Sequence, residues 1–124
     1  MIQYTNLNPF SKNESIEIYS GTNMYDLHNA ADLLELNLNI NELTFNCIWD
    51  FGSDIDKYKG KLKLSFEGIS KIDVQGNIDK SIKEEIKCLE YLKENNGDEI
   101  ELLFRNEILI KIKCDKVRLE LINN

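Results

Sequence analysis

Histidine occurs once in these 124 residues, at His28, and that scarcity removes most catalytic designs, which combine an imidazole with further bases or ligands. A zinc site would have to be built from other ligands, yet Cys47, Cys88 and Cys114 are scattered with no C-x-x-C pairing. Phosphate-cradling glycine loops and a G-x-S-x-G elbow are also missing. No catalytic residue, metal ligand or cofactor is therefore assigned. The N-terminus MIQYTNLNPF lacks a basic start followed by an apolar run, and no stretch approaches the ~20 apolar residues of a membrane span. A cytoplasmic protein with no membrane association is expected. In that compartment an odd number of cysteines reads as buried, reduced thiols, and Cys47 and Cys114 fall among apolar residues of strand-like alternation. A thiol so placed is inert, which disfavours a Cys–His pair built from either of them with His28.

Lysine and arginine are missing from residues 13–56, a stretch with nine acids: Glu14, Glu17, Asp26, Asp32, Glu35, Glu42, Asp50, Asp54 and Asp56. The whole chain has a formal net charge of −7, so this stretch carries more than all of the imbalance and the remainder is slightly positive. Clustered cations are what nucleic-acid binding needs, so no nucleic acid is expected as a partner. Lys57, Lys59, Lys61 and Lys63 alternate, but with only Tyr58 among them as an aromatic they read as a wet, edge-protecting strand face. Calcium is disfavoured in the 50–60 loop. Counting from Asp54, Asp56 fills the third position, but Tyr58 takes the fifth, Lys59 the glycine place, and no glutamate closes the loop.

What is present is period two. Leu34, Leu36, Leu38 and Ile40 alternate with Glu35, Asn37, Asn39 and Asn41, and Leu43, Phe45, Cys47, Trp49 and Phe51 alternate after a polar turn. This predicts a β-hairpin over residues 32–51, with the apolar set buried around the only tryptophan. Residues 61–67 repeat the pattern through Leu62, Leu64 and Phe66, and residues 71–75 place Ile72 and Val74 inward, with Gly68 as a turn or bulge. In the last third, Ile100, Leu102 and Phe104 lead through a turn at Asn106 and Glu107 to Ile108, Ile110, Ile112 and Cys114. A bulge at Asp115 and Lys116 then shifts the phase before Val117, Leu119 and Leu121. Short strands are expected near residues 2–5 and 15–19, and Pro9 ends any regular element between them. Residues 24–31 suit one helical turn or an irregular approach to the hairpin.

Residues 79–96 fit two descriptions. Ser81 and Glu84 form a capping box, and Ile82, Ile86, Leu89 and Leu92 recur at helical spacing, which predicts a helical start over residues 79–85. The segment from Ile86 to Lys93, followed by Asn95, Asn96 and Gly97, reads equally as a strand entering a turn. The expected fold class is α+β: one domain over residues 1–124, a mainly antiparallel β-sheet of about six to eight strands with at most one helix.

Three segments carry a resemblance to a known family. Leu27-His28-Asn29-Ala30 leading into LLELNLNINELTFNCIW, then LSFEGISKIDVQG (residues 64–76) and ILIKIKCDKVRLEL (residues 108–121), resemble the bacterial polymorphic-toxin immunity group called immunity protein 50. Where such families carry His-Asp, this chain has His28-Asn29, a departure that weakens any catalytic reading of the pair. The resemblance implies a non-enzymatic protector that neutralises a cognate toxin by direct binding; the alternative is a structural or protein-interaction domain without enzymatic activity. The cation-free stretch is compatible with a basic toxin domain as partner, since an inhibitor steers toward such a target by charge. The hairpin projects Glu35 and Glu42 from its wet face and sets Asp50, Asp54 and Asp56 beyond its second arm, so these five are the expected partner-binding residues. A homodimer is the other assembly considered.

Overall fold

Alternating apolar and polar residues produce eleven β-strands within residues 1–52, 58–77 and 86–122, the residues that the computed structural model describes. They are β1 (Gln3–Thr5), β2 (Glu17–Ser20), β3 (Asn23–Asp26), β4 (Asp32–Asn39), β5 (Thr44–Asp50), β6 (Lys61–Glu67), β7 (Lys71–Gln75), β8 (Leu89–Asn95), β9 (Glu99–Phe104), β10 (Ile108–Lys113) and β11 (Lys116–Ile122). One sheet has the order β1-β11-β6-β5-β4, a second β7-β10-β9-β8, and β2 pairs with β3 in a separate hairpin. All pairings are antiparallel except β1 with β11.

The described residues form a mostly β, mostly antiparallel architecture of eleven strands in three sheets, where one sheet of about six to eight strands was expected, and the α part of the α+β expectation rests on residues outside those described. The short strands expected near residues 2–5 and 15–19 are present as β1 and β2, whereas β3, four residues long, is too short for alternation to register. Residues 24–31 hold the end of the β2–β3 hairpin and then one turn, closed by the Ala30 amide donating to the Asp26 carbonyl at 3.3 Å, before β4 begins. Of the two descriptions of Ile86 to Lys93, the strand holds from Leu89 onward as β8. The helical spacing of Leu89 and Leu92 has a different origin: a register shift between Leu89 and Tyr91 brings two residues three apart onto one buried face. The helical start over residues 79–85, with Ser81 and Glu84, lies outside the described residues. No helix among the described residues is long and apolar enough to cross a membrane.

Both large sheets contribute to one apolar core. Phe45, Cys47, Trp49, Leu62, Leu64 and Phe66 supply it from β5 and β6, and Ile100, Leu102, Phe104, Ile108, Ile110 and Ile112 from β9 and β10. Two strand pairs connect the sheets. β6 pairs with β11 in the first, their continuations β7 and β10 pair in the second, and the ribbon bends where both chains cross over. The phase shift at Asp115 is therefore a change of sheet rather than a bulge within one. Gly68 stands at that bend with φ +65°, and a Cβ there would come 2.5 Å from Asp115 Oδ2, so the corner requires glycine. Val74 and Leu121, expected inward, are exposed, Val74 on the edge strand β7 and Leu121 near the end of β11, past the residues that β1 pairs.

The buried carboxylates near the core are paired, whereas Trp49 Nε1, at the centre of that core, has no hydrogen-bond partner among the described residues. Glu94 accepts a hydrogen bond from Tyr4 Oη at 2.7 Å, tying β1 to β8, and burial together with that carboxylate pushes the Tyr4 phenol above its ordinary value. Burial alone would raise Glu101, but hydrogen bonds from Tyr91 and Asn95 and the ammonium groups of Lys93 and Lys111 hold its carboxyl below the ordinary 4.5. A depressed folded-state value means stability that is present above the unfolded value and lost as pH falls through the folded one. Urea unfolding of wild type and Glu101→Gln should therefore differ most at neutral pH and converge as the pH is taken below 4.5.

Candidate binding surface

β4 and β5 form the expected hairpin, but β4 is the outer strand of its sheet, and that position determines what it exposes. Trp49 and Phe45 are buried and Glu35 and Asn37 exposed, as the alternation predicts. The first arm departs from it. A register shift between Leu33 and Glu35 buries Leu33 in place of Leu34, which is 52% exposed. Leu36 and Leu38 do face the same side as Cys47 and Phe45, their direct partners across the pair. β4 is the outermost strand of its sheet, and there Leu36 is half-buried and Leu38 is 43% exposed. Ile40 (74%) and Leu43 (53%) sit in the turn between the arms, where Leu43 has φ +52°, and neither enters the core. The result is an apolar strip of Leu34, Leu38, Ile40 and Leu43 along one edge, with a hollow of about 310 Å³ between the Leu33–Leu36 backbone and Ile86. Contiguous exposed apolar surface of this kind marks interaction sites.

Charge is arranged differently in space than along the chain. Glu35 lies opposite Ile48 on the outer face, which makes it a diagonal neighbour of Asp50 at about 7–8 Å. Asp32, missed as a contact residue, stands directly opposite Asp50. Glu42 belongs to the turn at the far end of β5, about 20 Å from Asp50 at ~3.4 Å per residue. The five expected residues are thus not one cluster: Glu35 and Asp50 come together with Asp32, Glu42 stands apart, and Asp54 and Asp56 lie outside the described residues. Nor is the surface cation-free. β6 sets Lys61 directly opposite Asp50 and Lys63 opposite Ile48. Because β6 is a central strand, its lysines cannot protect an edge; Lys61 instead offsets Asp50, the one acid of β5. The carboxylates that keep away from β6 are those of β4, its turn and the β2–β3 hairpin, where Glu17 and Asp26 face each other.

His28 is fixed by the loop between β3 and β4. Asp26 Oδ1 accepts the His28 and Asn29 amides at 2.9 and 2.7 Å, and these bonds hold the Asp26 carboxyl below its ordinary value against the opposing effect of burial. His28 Nδ1 lies 2.6 Å from the Leu89 carbonyl oxygen and 3.3 Å from Cys88 Sγ. A carbonyl oxygen only accepts, so Nδ1 carries the hydrogen and cannot act as a base toward that thiol. Arg105 Nη2 contacts the same sulfur at 3.2 Å and its Nε approaches Glu90 at 3.5 Å. Burial pushes the Cys88 thiol up and the Arg105 guanidinium opposes it, leaving the value above the ordinary one. The Cys–His contact therefore exists with Cys88, not with Cys47 or Cys114, and its geometry ties the β3–β4 loop to the start of β8. Cys88 is half-buried, a departure from the expectation of three buried thiols that follows from its place just outside β8.

His28 also borders a small polar pocket of about 180 Å³ with Asp32 and Asp50. Among the described residues no group of three or more His, Cys, Asp or Glu side chains is placed to hold a metal ion. Compared with protein families, characterised proteins and solved structures, the chain matches none.

Proposed function

We propose that the protein is an immunity-type binding module that neutralises a cognate bacterial toxin by direct binding in the cytoplasm, without catalysing a reaction. The observation that carries this reading is the β4 edge: exposed Leu34, Leu38 and Ile40 beside Asp32, Glu35 and Glu42, on a strand without lysine or arginine. Apolar contact supplies affinity and the carboxylates supply attraction for a basic surface. The resemblance of the segments around His28, Phe66 and Cys114 to immunity protein 50 supplies the toxin as the partner class. A protein-interaction domain that joins two copies of itself is the second reading, favoured by the same uncovered edge taken without its charge.

A pull-down from the source cell tests binding without assuming a partner, and recovery of a basic toxin domain is the expected result. With that domain in hand, association is measured as salt rises and the Debye length falls from ~30 to ~8 Å. The on-rate of wild type should drop about tenfold or more, with dissociation little changed. Asp32→Lys with Glu35→Lys should associate at the slow, high-salt rate even in low salt, while folding stability stays within about 1 kcal/mol because the charges are exposed. Equal low-salt on-rates for the two proteins would remove these acids from the recognition surface.

A further inference from the structure

We infer that the β4 edge receives a partner by strand addition, and that the occupant is an extended segment alternating apolar residues with lysine or arginine. The inference rests on the binding-module reading and specifies how that surface is used. It begins with the other sheet edges. β8 is covered by the N-terminal segment, whose Ser15 exchanges backbone hydrogen bonds with Leu92 at 3.0 and 2.8 Å while Ser11 accepts from Glu94. β1 is three residues long and Pro9 follows it closely. β7 is short and carries Lys71 and Asp73. Coverage, shortness and charge are the usual protections of an edge. β4 is eight residues long, and its bulge protects only the Leu33 end.

Backbone parity shows which groups are open. The Leu33 amide turns away from β5 and donates to the Lys87 carbonyl at 2.9 Å. On β5 the Phe51 amide donates to Gly60, toward β6, so Trp49, Cys47 and Phe45 also direct their backbone to β6. The intervening residues Asp50, Ile48, Asn46 and Thr44 bond to β4 through Asp32, Glu35, Asn37 and Asn39. Leu36 and Leu38 therefore turn their N–H and C=O groups outward, and among the described residues neither has a backbone partner there.

Side chains select the occupant. An incoming strand would set residues beside Leu36 and Leu38 on the apolar face and residues beside Glu35 and Asn37 on the polar one. Acids at Asp32, Glu35 and Glu42 call for cations on that polar face. A second copy would bring the same acids and a further net charge of −7.

The probe is a capped peptide of about nine residues alternating lysine and valine, with a glutamate–valine peptide as its counterpart. Binding is read by fluorescence anisotropy at low salt. Proline at position 38 removes only an outward N–H and no bond to β5, so Leu38→Pro should bind the lysine peptide at least about tenfold more weakly, with Leu38→Ala far closer to wild type. Amide exchange on wild type gives the same answer without a variant: the Leu36 and Leu38 amides should exchange fast in the free chain and slow with the peptide, while Asn37 stays protected throughout. Unchanged exchange at Leu36 and Leu38, or equal binding of the glutamate peptide, overturns the inference. So does a dimer of the chain alone, seen by sedimentation and abolished by Leu38→Pro, which would make a second copy the occupant. A captured toxin that binds Leu38→Pro as well as wild type ends strand addition and spares the function; an absent toxin ends the function, and the peptide result still decides the edge.

Discussion

Replacing Phe45 by alanine should destabilise the fold by about 3–5 kcal/mol, while Leu38→Ala should cost about 1 kcal/mol or less. The two side chains are direct cross-strand partners on one face of one hairpin, so pattern and pairing treat them alike. What separates them is the cover above. Phe45 is 5% exposed and packs against Phe66 at a ring distance of 6.4 Å, whereas Leu38, on the outer strand of the sheet, is 43% exposed. Alanine at 45 leaves a cavity bounded by neighbours that cannot all collapse; alanine at 38 leaves a gap that water already fills. Against a total of ~5–15 kcal/mol the first loss is large enough to read directly as a shift in the urea midpoint. Similar losses for both variants would mean that the edge strip is covered in solution.

Thiol labelling should divide the cysteines two to one. In the native protein Cys88 is expected to react first, because it is half-buried beside His28 and the Arg105 side chain. Cys47 is fully buried, and burial pushes its thiol well above the ordinary value; Cys114 is pushed up to about 12 by burial and the neighbouring Asp115. Their sulfurs meet reagent only when the core opens, and with ~5 kcal/mol or more opposing global opening this slows labelling by about a thousandfold or more. Mass spectrometry over time should show one label quickly and three only in denaturant. Arg105→Ala should speed exposure of Cys88 by releasing the turn that contacts it, and leave Cys47 unchanged. Rapid native labelling of Cys47 or Cys114 would contradict the packing of β5 or the β10–β11 corner.

The central strands were legible because period-two alternation is a local property. β6 runs over the residues that the pattern indicates, as does the edge strand β7, and β5, β9 and β10 follow it to within a residue or so, since alternate residues of the central strands enter the core. Alternation fails wherever a bulge intervenes, because one extra residue turns i, i+2 into i, i+3: Leu33 with Leu36, and Leu89 with Leu92, look helical for that reason. It is equally silent on which strand stands at an edge. Leu36 and Leu38 read as core because their own residues say apolar and inward; only the sheet order leaves Leu36 half-buried and Leu38 exposed.

The surface shows the same division. The run of acids over residues 13–56 is a property of the chain, but the sheet register sets Lys61 beside Asp50, pairs Asp32 with that same residue, and strands Glu42 at the other end of β5. Cys88, His28 and Arg105 meet from three separate stretches of sequence, and no spacing foretells it. Composition and period thus determined a β-rich chain with an acidic N-terminal half and a core built on Trp49, because hydrophobic burial acts residue by residue. Which apolar residues stay exposed, which charges remain uncompensated and which edge stays open were decided by the pairing of distant strands, since each depends on what another part of the chain brings alongside.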